Sequence, residues 1–135
     1  MRLWHIDLIP YLPKSQLLAQ WRELNSIFKK KDNHILINYV YGQDAELYAY
    51  TKKIIEEMFE RRYSIKSYEN FKNYFKEKEL IVPEGDVRFK EHDDKYLTIC
   101  YWNLTEKYIR GQKDFTDDVY EKIYDFYIRK IEGRV

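Results

Sequence analysis

The 135-residue sequence holds one cysteine, Cys100, which excludes an internal disulfide framework and a cysteine-rich zinc site. Four glycines and three prolines are too few for a flexible linker or a phosphate-cradling glycine loop, and there is no repeat or low-complexity tract. No apolar run approaches the roughly 20 residues needed to cross a bilayer. The opening MRLWHIDLIPYL carries Asp7 and Pro10, with Pro13 directly after, where a secretory apolar stretch would stand. The expectation is a soluble protein of the reducing cytoplasm with no membrane contact. Excess charge of one sign is also missing, since the net charge is only +1.

Aromatic residues are abundant. They make up 18% of the chain and include 14 tyrosines, within a hydrophobic share of 44%. That is enough apolar material for a packed interior despite a mean hydropathy of −0.74. Tyrosine buries a ring and keeps a polar tip, which suits a small core with wet edges or a surface that stacks on flat ligands. At 16.8 kDa the chain fits one domain spanning residues 1–135. The charge is unevenly spread. Residues 1–31 carry Arg2, Lys14, Arg22, Lys29, Lys30 and Lys31 against Asp7 and Glu23, leaving +4 there and −3 in the remainder. A lysine run such as Lys29–Lys31 is by itself an ordinary solvated face.

Periodicity predicts helices. Leu17, Trp21, Leu24 and Phe28 recur at helical spacing and define a first helix from Lys14 or Ser15, just past Pro13, to about Lys30. A second is predicted from Asp44, as its cap, to Arg62. Its apolar positions are Leu47, Tyr50, Ile54, Ile55, Met58 and Phe59, and Glu57 and Arg61 stand one turn apart. Between them His34–Gly42 is β-branched and aromatic; it reads as a strand or, preferred here, an extended buried connection. A shorter helix is expected within Ser67–Glu79, followed by a turn at Pro83–Asp86. Leu97, Tyr101, Leu104 and Tyr108 predict a helix capped by Asp93 or Asp94 and ended at Gly111. A last helix runs from about Thr116 to Glu132, with Val119, Ile123, Phe126, Tyr127 and Ile131 as its apolar positions. The expected fold is all-α, a single-domain bundle of four to five helices with an extended N-terminal segment.

On the first helix, at about 100° per residue, Glu23 lies well away from the Leu17–Phe28 stripe and is flanked by Ala19 and Ile27. A carboxylate between a small and an apolar residue points to a covered face, and the apolar opening Leu3–Ile9 is the nearest candidate to cover it. The plain alternative is an exposed helix glutamate beside a solvated Arg22.

The stretch LIPYLPKSQLLAQWRELNSIF, Leu8 to Phe28, resembles the start of the pyrimidine-dimer DNA glycosylases of the phage endonuclease V type. The matching positions are Leu8, Leu12, Leu17, Ala19, Arg22, Glu23, Leu24 and Phe28. IIEEMFERRYSI (Ile54–Ile65) is similar to that family's second long helix, and LTEKY (Leu104–Tyr108) to a later segment. The resemblance implies a DNA-repair glycosylase with lyase activity that needs no cofactor and acts on damaged double-stranded DNA. Its nucleophile would be the N-terminal α-amine. Carried onto this chain, Met1 supplies the amine in place of the family's threonine, Glu23 the catalytic carboxylate, and Arg2 and Arg22 the grip on phosphates. A further family arginine falls at Ser26, and Lys29, Lys30 and Lys31 stand one turn later to bind DNA. An α-amine of pKa about 7.7–8.0 is roughly one third neutral at pH 7.5, against about 0.1% for lysine, so it attacks without special burial.

Trp4 and His5 are candidates for the pocket around Met1, with a buried tryptophan and a hydrogen-bonded histidine as the plain reading. His5, His34 and His92 lack metal-ligand spacing, although His5 and Asp7 could chelate from one strand face; no metal site is expected. Cys100 reads as core, and the Tyr120, Tyr124 and Tyr127 stripe as packing rather than a stacking platform. A second reading is a non-catalytic member of the same fold that binds nucleic acid or a protein. The oligomeric state is not legible.

Overall fold

The computed structural model describes residues 2–31 and 33–133. Five α-helices carry the fold: α1 Lys14–Lys30, α2 Asp44–Glu60, α3 Tyr68–Phe75, α4 Asp94–Ile109 and α5 Asp117–Ile131. No strand occurs among the described residues, so the chain is all-α as its periodicity predicts. α1 packs on α2 and α3, α4 packs on α5, and the N-terminal turn touches both α2 and α5 and so joins the two groups. Leu17, Trp21, Leu24 and Phe28 are buried as the α1 stripe requires, against Leu47, Tyr50, Ile54 and Met58 of α2 and Phe71 and Phe75 of α3.

The helix starts are capped from near and from far along the chain. Pro13 offers α1 no side-chain cap, and the gap is filled from far along the chain. Asp114, in the loop between α4 and α5, accepts from the Ser15 N–H at 3.1 Å. Asp93 caps α4 through the Tyr96 N–H, and Thr116 caps α5 through Val119. Asp44 is not the cap of α2. Gln43 holds that place, and Asp44 and Glu46 sit in the first turn, where carboxylates meet the positive end of the helix dipole.

Three further expectations are corrected. The N-terminal segment is not extended throughout, because Ile6–Tyr11 winds into a 3₁₀ turn capped by the His5 ring, which accepts from the Asp7 N–H. His34–Gly42 is neither strand nor extended. It turns at residues 35–37 and forms a 3₁₀ turn at Asn38–Val40, burying Ile37 and Val40 and leaving Ile35 and Leu36 exposed. Phe59 and Ile131, expected as apolar positions of their helices, stand exposed at the helix ends.

Candidate active-site cleft

Residues 2–6 pass between α1, α2 and α4, and their backbone is held by side chains. Gln20, only 1% exposed, is the centre of this anchoring. Its Oε1 accepts from the Trp4 N–H at 2.7 Å and from the Tyr50 hydroxyl at 3.0 Å. Its Nε2 donates to the Arg2 carbonyl and to Glu23 Oε2, both at 3.2 Å. One amide thus uses both ends to tie the N-terminal backbone to the Glu23 carboxylate. Tyr50 donates to the Trp4 carbonyl at 2.7 Å and Tyr96 to the Leu3 carbonyl. The Ile6 N–H donates to His92 Nδ1 at 3.1 Å. Burial pushes the Tyr50, Tyr39 and Tyr96 hydroxyls well above their ordinary pKa, so they remain protonated.

Above this floor lies a cleft of about 210 Å³ lined by Arg2, Trp4, Gln16, Ala19, Gln20, Glu23, Leu36, Asn103 and Lys107. The covered face expected beside Ala19 is therefore present, and the covering segment is the N-terminal one. Glu23 is half-buried. Arg2 and Lys107 bring positive charge to the walls, and Trp4 contributes an apolar one. A carboxylate in such a recess can stabilise a developing cation or move a proton, while the cations hold anionic flanks. Asn103 and Lys107, one turn apart on α4, are site residues that sequence reasoning missed. They are polar breaks beside the Leu97–Tyr108 stripe, but nothing local says that their face turns toward α1.

The other candidates are distributed as follows. Met1 lies outside the described residues. Trp4 is in the cleft wall, but His5 is buried behind it, stacked on His92 at 5.5 Å between ring centroids. Burial lowers the pKa of both rings and brings His92 to about 3, with help from the charges of His5 and Arg88. His92 Nδ1 accepts and its Nε2 meets the Tyr39 hydroxyl at 2.7 Å, which is the pattern of a neutral ring. Asp7 faces Arg88 through two hydrogen bonds of 3.0 and 3.1 Å. Burial alone would raise its pKa, and Arg88 more than reverses that. The pair considered for chelation is thus committed elsewhere. Arg22 is exposed on α1 next to Glu23 in sequence but faces outward, and Lys29, Lys30 and Lys31 are exposed at its C-terminal end, away from the cleft lining. Cys100 is buried, which pushes its thiol up to about 11. Of the tyrosine stripe, Tyr127 stacks on Tyr101 at 4.0 Å and Tyr120 on Tyr108 at 4.2 Å, while Tyr124 is 45% exposed.

Fold and cleft together define a small helical domain with a half-buried carboxylate among cations. The family model described as pyrimidine dimer DNA glycosylase matches residues 1–69. That is half of the chain, including α1, α2 and the N-terminal cover of the cleft, and the chain belongs to this family. The kind of function that membership carries is glycosylase action on DNA in repair. No curated protein and no solved structure matches the chain.

Proposed function

We propose that the protein is a glycosylase with abasic-site lyase activity on pyrimidine dimers or related lesions in double-stranded DNA, working through an imine on its N-terminal amine. The observation that carries this reading is the bridge Arg2 carbonyl, Gln20 amide, Glu23 carboxylate, which holds the Arg2 backbone beside the one carboxylate that lines the cleft among the described residues. In the reaction the neutral amine attacks the anomeric carbon, and the glycosidic electron pair leaves with the base, which takes up a proton. The nitrogen of the resulting glycosylamine loses a proton and pushes its lone pair toward C1′, so that the C1′–O4′ bond breaks, O4′ takes up a proton and the ring-opened imine forms. Removal of a C2′ proton then expels the 3′ phosphate by β-elimination. Glu23 stabilises the oxocarbenium-like sugar and carries protons in the later step. Arg2 and Lys107 offer charge to the flanking phosphates, as Arg22 does from the outer ridge.

The test is borohydride trapping, using protein with no residue before Met1, on duplexes that carry a cyclobutane dimer or an abasic site. A covalent adduct is expected, and it should disappear on acetylation of the amine. Glu23→Gln should lower its formation by about 10²-fold or more. No adduct, or one indifferent to both changes, sinks the mechanism and leaves the binding-only reading of the same fold.

A further inference from the structure

A second recess, of about 530 Å³, lies on the other side of α1. It is lined by Lys14, Leu18, Trp21, Arg22, Met58, Arg62, Tyr63, Ser64 and Lys66. Four of these residues are cations and none is a carboxylate, in a chain whose net charge is only +1. Lys14 lies over the Tyr63 ring at 5.2 Å, and Trp21 donates to the Lys66 carbonyl at 2.8 Å, so the apolar walls are fixed while the charged heads face solvent.

Arg62 supplies an independent observation. It occupies the position after the α2 cap, where the Arg62 N–H returns to the Phe59 carbonyl at 3.0 Å and the Tyr63 N–H to Met58 at 2.9 Å. This closure calls for a left-handed residue, usually glycine. The same closure on α4 uses Gly111 at φ +72, whereas α2 places an arginine at φ +62. Arginine is strained there. Its neighbour Arg61 is consumed structurally by Glu57 and by the Leu12 and Pro10 carbonyls, but Arg62 has no such use among the described contacts. Of the four non-glycine residues at positive φ among the described residues, Lys31, Arg62, Ser67 and Asp114, Arg62 is the one that lines the cationic recess.

Position on α1 identifies the ligand. At about 100° per residue, Lys14, Leu18 and Trp21 face one side and Gln16, Gln20 and Glu23 nearly the opposite one, with the exposed Arg22 on the ridge between them. A helix is about 10–12 Å across. A DNA strand advances 3.4 Å per nucleotide, so a strand laid over the ridge reaches the recess roughly three nucleotides from the cleft.

We propose that Lys14, Arg62 and Lys66, together with Arg22, form a second phosphate-binding site that holds the DNA strand beyond the nucleotides flanking the reacting sugar. This rests on the family's DNA substrate and not on the imine mechanism. The test is equilibrium binding of lesion-bearing duplexes by fluorescence anisotropy over a range of salt, read without turnover, so a failed trapping experiment does not touch it. Arg62→Gly should weaken binding by about tenfold and flatten the salt slope by about one unit, while the melting temperature stays equal or rises. Arg62→Lys, equally strained but charged, should keep most of the affinity. Lys66→Ala, which leaves its carbonyl in place, should weaken binding as Arg62→Gly does. Trimming the duplex on the relevant side of the lesion should bring the wild type down to the Arg62→Gly value and leave that variant unaffected. Unchanged affinity and slope in Arg62→Gly and Lys66→Ala would overturn the proposal. So would unchanged DNA binding together with thermal protection of the wild type alone by inorganic phosphate, which would assign the recess to a free phosphate ligand.

Discussion

Gln20 shows how much a single side chain can settle. Its four hydrogen bonds involve Trp4, Tyr50, Arg2 and Glu23, and a hydrocarbon in its place orphans several polar atoms at once. Gln20→Leu is therefore expected to cost about 2–4 kcal/mol in denaturant unfolding. Tyr50→Phe should cost about 1 kcal/mol, and the two should couple by roughly 1 kcal/mol in a double-mutant cycle, since they share one bond. The buried histidines set the acid limit. His92 is held down to about 3, below its unfolded value near 6.5, so the unfolded chain takes up the proton first. Stability present above about pH 6.5 should drain away as pH falls toward 3. Asp7, whose pKa is also lowered, begins to contribute only below about 3.9. A decline in unfolding free energy between about pH 6.5 and 4 thus belongs to the histidines. It should be shallower in His92→Gln; an identical slope in that variant would refute the assignment.

Among the elements, α1 owes its start to a residue a hundred positions away. Asp114 sits at φ +69, a conformation that aspartate and asparagine tolerate better than most residues, and from there its carboxylate serves the Ser15 N–H. Asp114→Asn should stay within about 0.5 kcal/mol of the wild type, whereas Asp114→Gly, which is at ease with the backbone but has no oxygen, should lose about 1 kcal/mol. Faster amide exchange confined to the first turn of α1 would accompany that loss. The same element lines two recesses, the cleft on one side of its outer ridge and the cationic recess on the other.

At the scale of the molecule, the cleft is a joint product of distant segments. α1 gives Glu23, the N-terminal segment gives Arg2 and Trp4, and α4 gives Asn103 and Lys107. Lys107→Ala should weaken DNA binding roughly three- to tenfold and reduce the salt slope by about 0.9, with stability changed by no more than about 0.5 kcal/mol. A fragment of residues 1–69, the span of the family match, should show no cooperative thermal transition by circular dichroism. It lacks Leu97, Cys100 and Leu104, which complete the buried core, and Tyr96 and His92, which hold Leu3 and Ile6.

Much of this was legible in one dimension. The helices around Leu17–Phe28, Leu47–Met58 and Leu97–Leu104 follow from spacing, because burying an apolar stripe is a local, periodic requirement. The covered face at Glu23 could be read from Ala19 and Ile27, and the family from the run through Arg22 and Glu23. Local pattern failed where the partner was remote. The His34–Gly42 segment has strand-like residues but finds no strand to pair with and winds instead. His5 reads like a pocket residue until His92 closes over it. Lys107 and the Arg62 recess become visible only when α4 and the end of α2 come up against α1. The sequence by itself determined which faces are apolar and roughly where the helices lie. Only the tertiary structure decided which charges meet, because hydrogen bonds and fields act across space between residues whose separation along the chain carries no period.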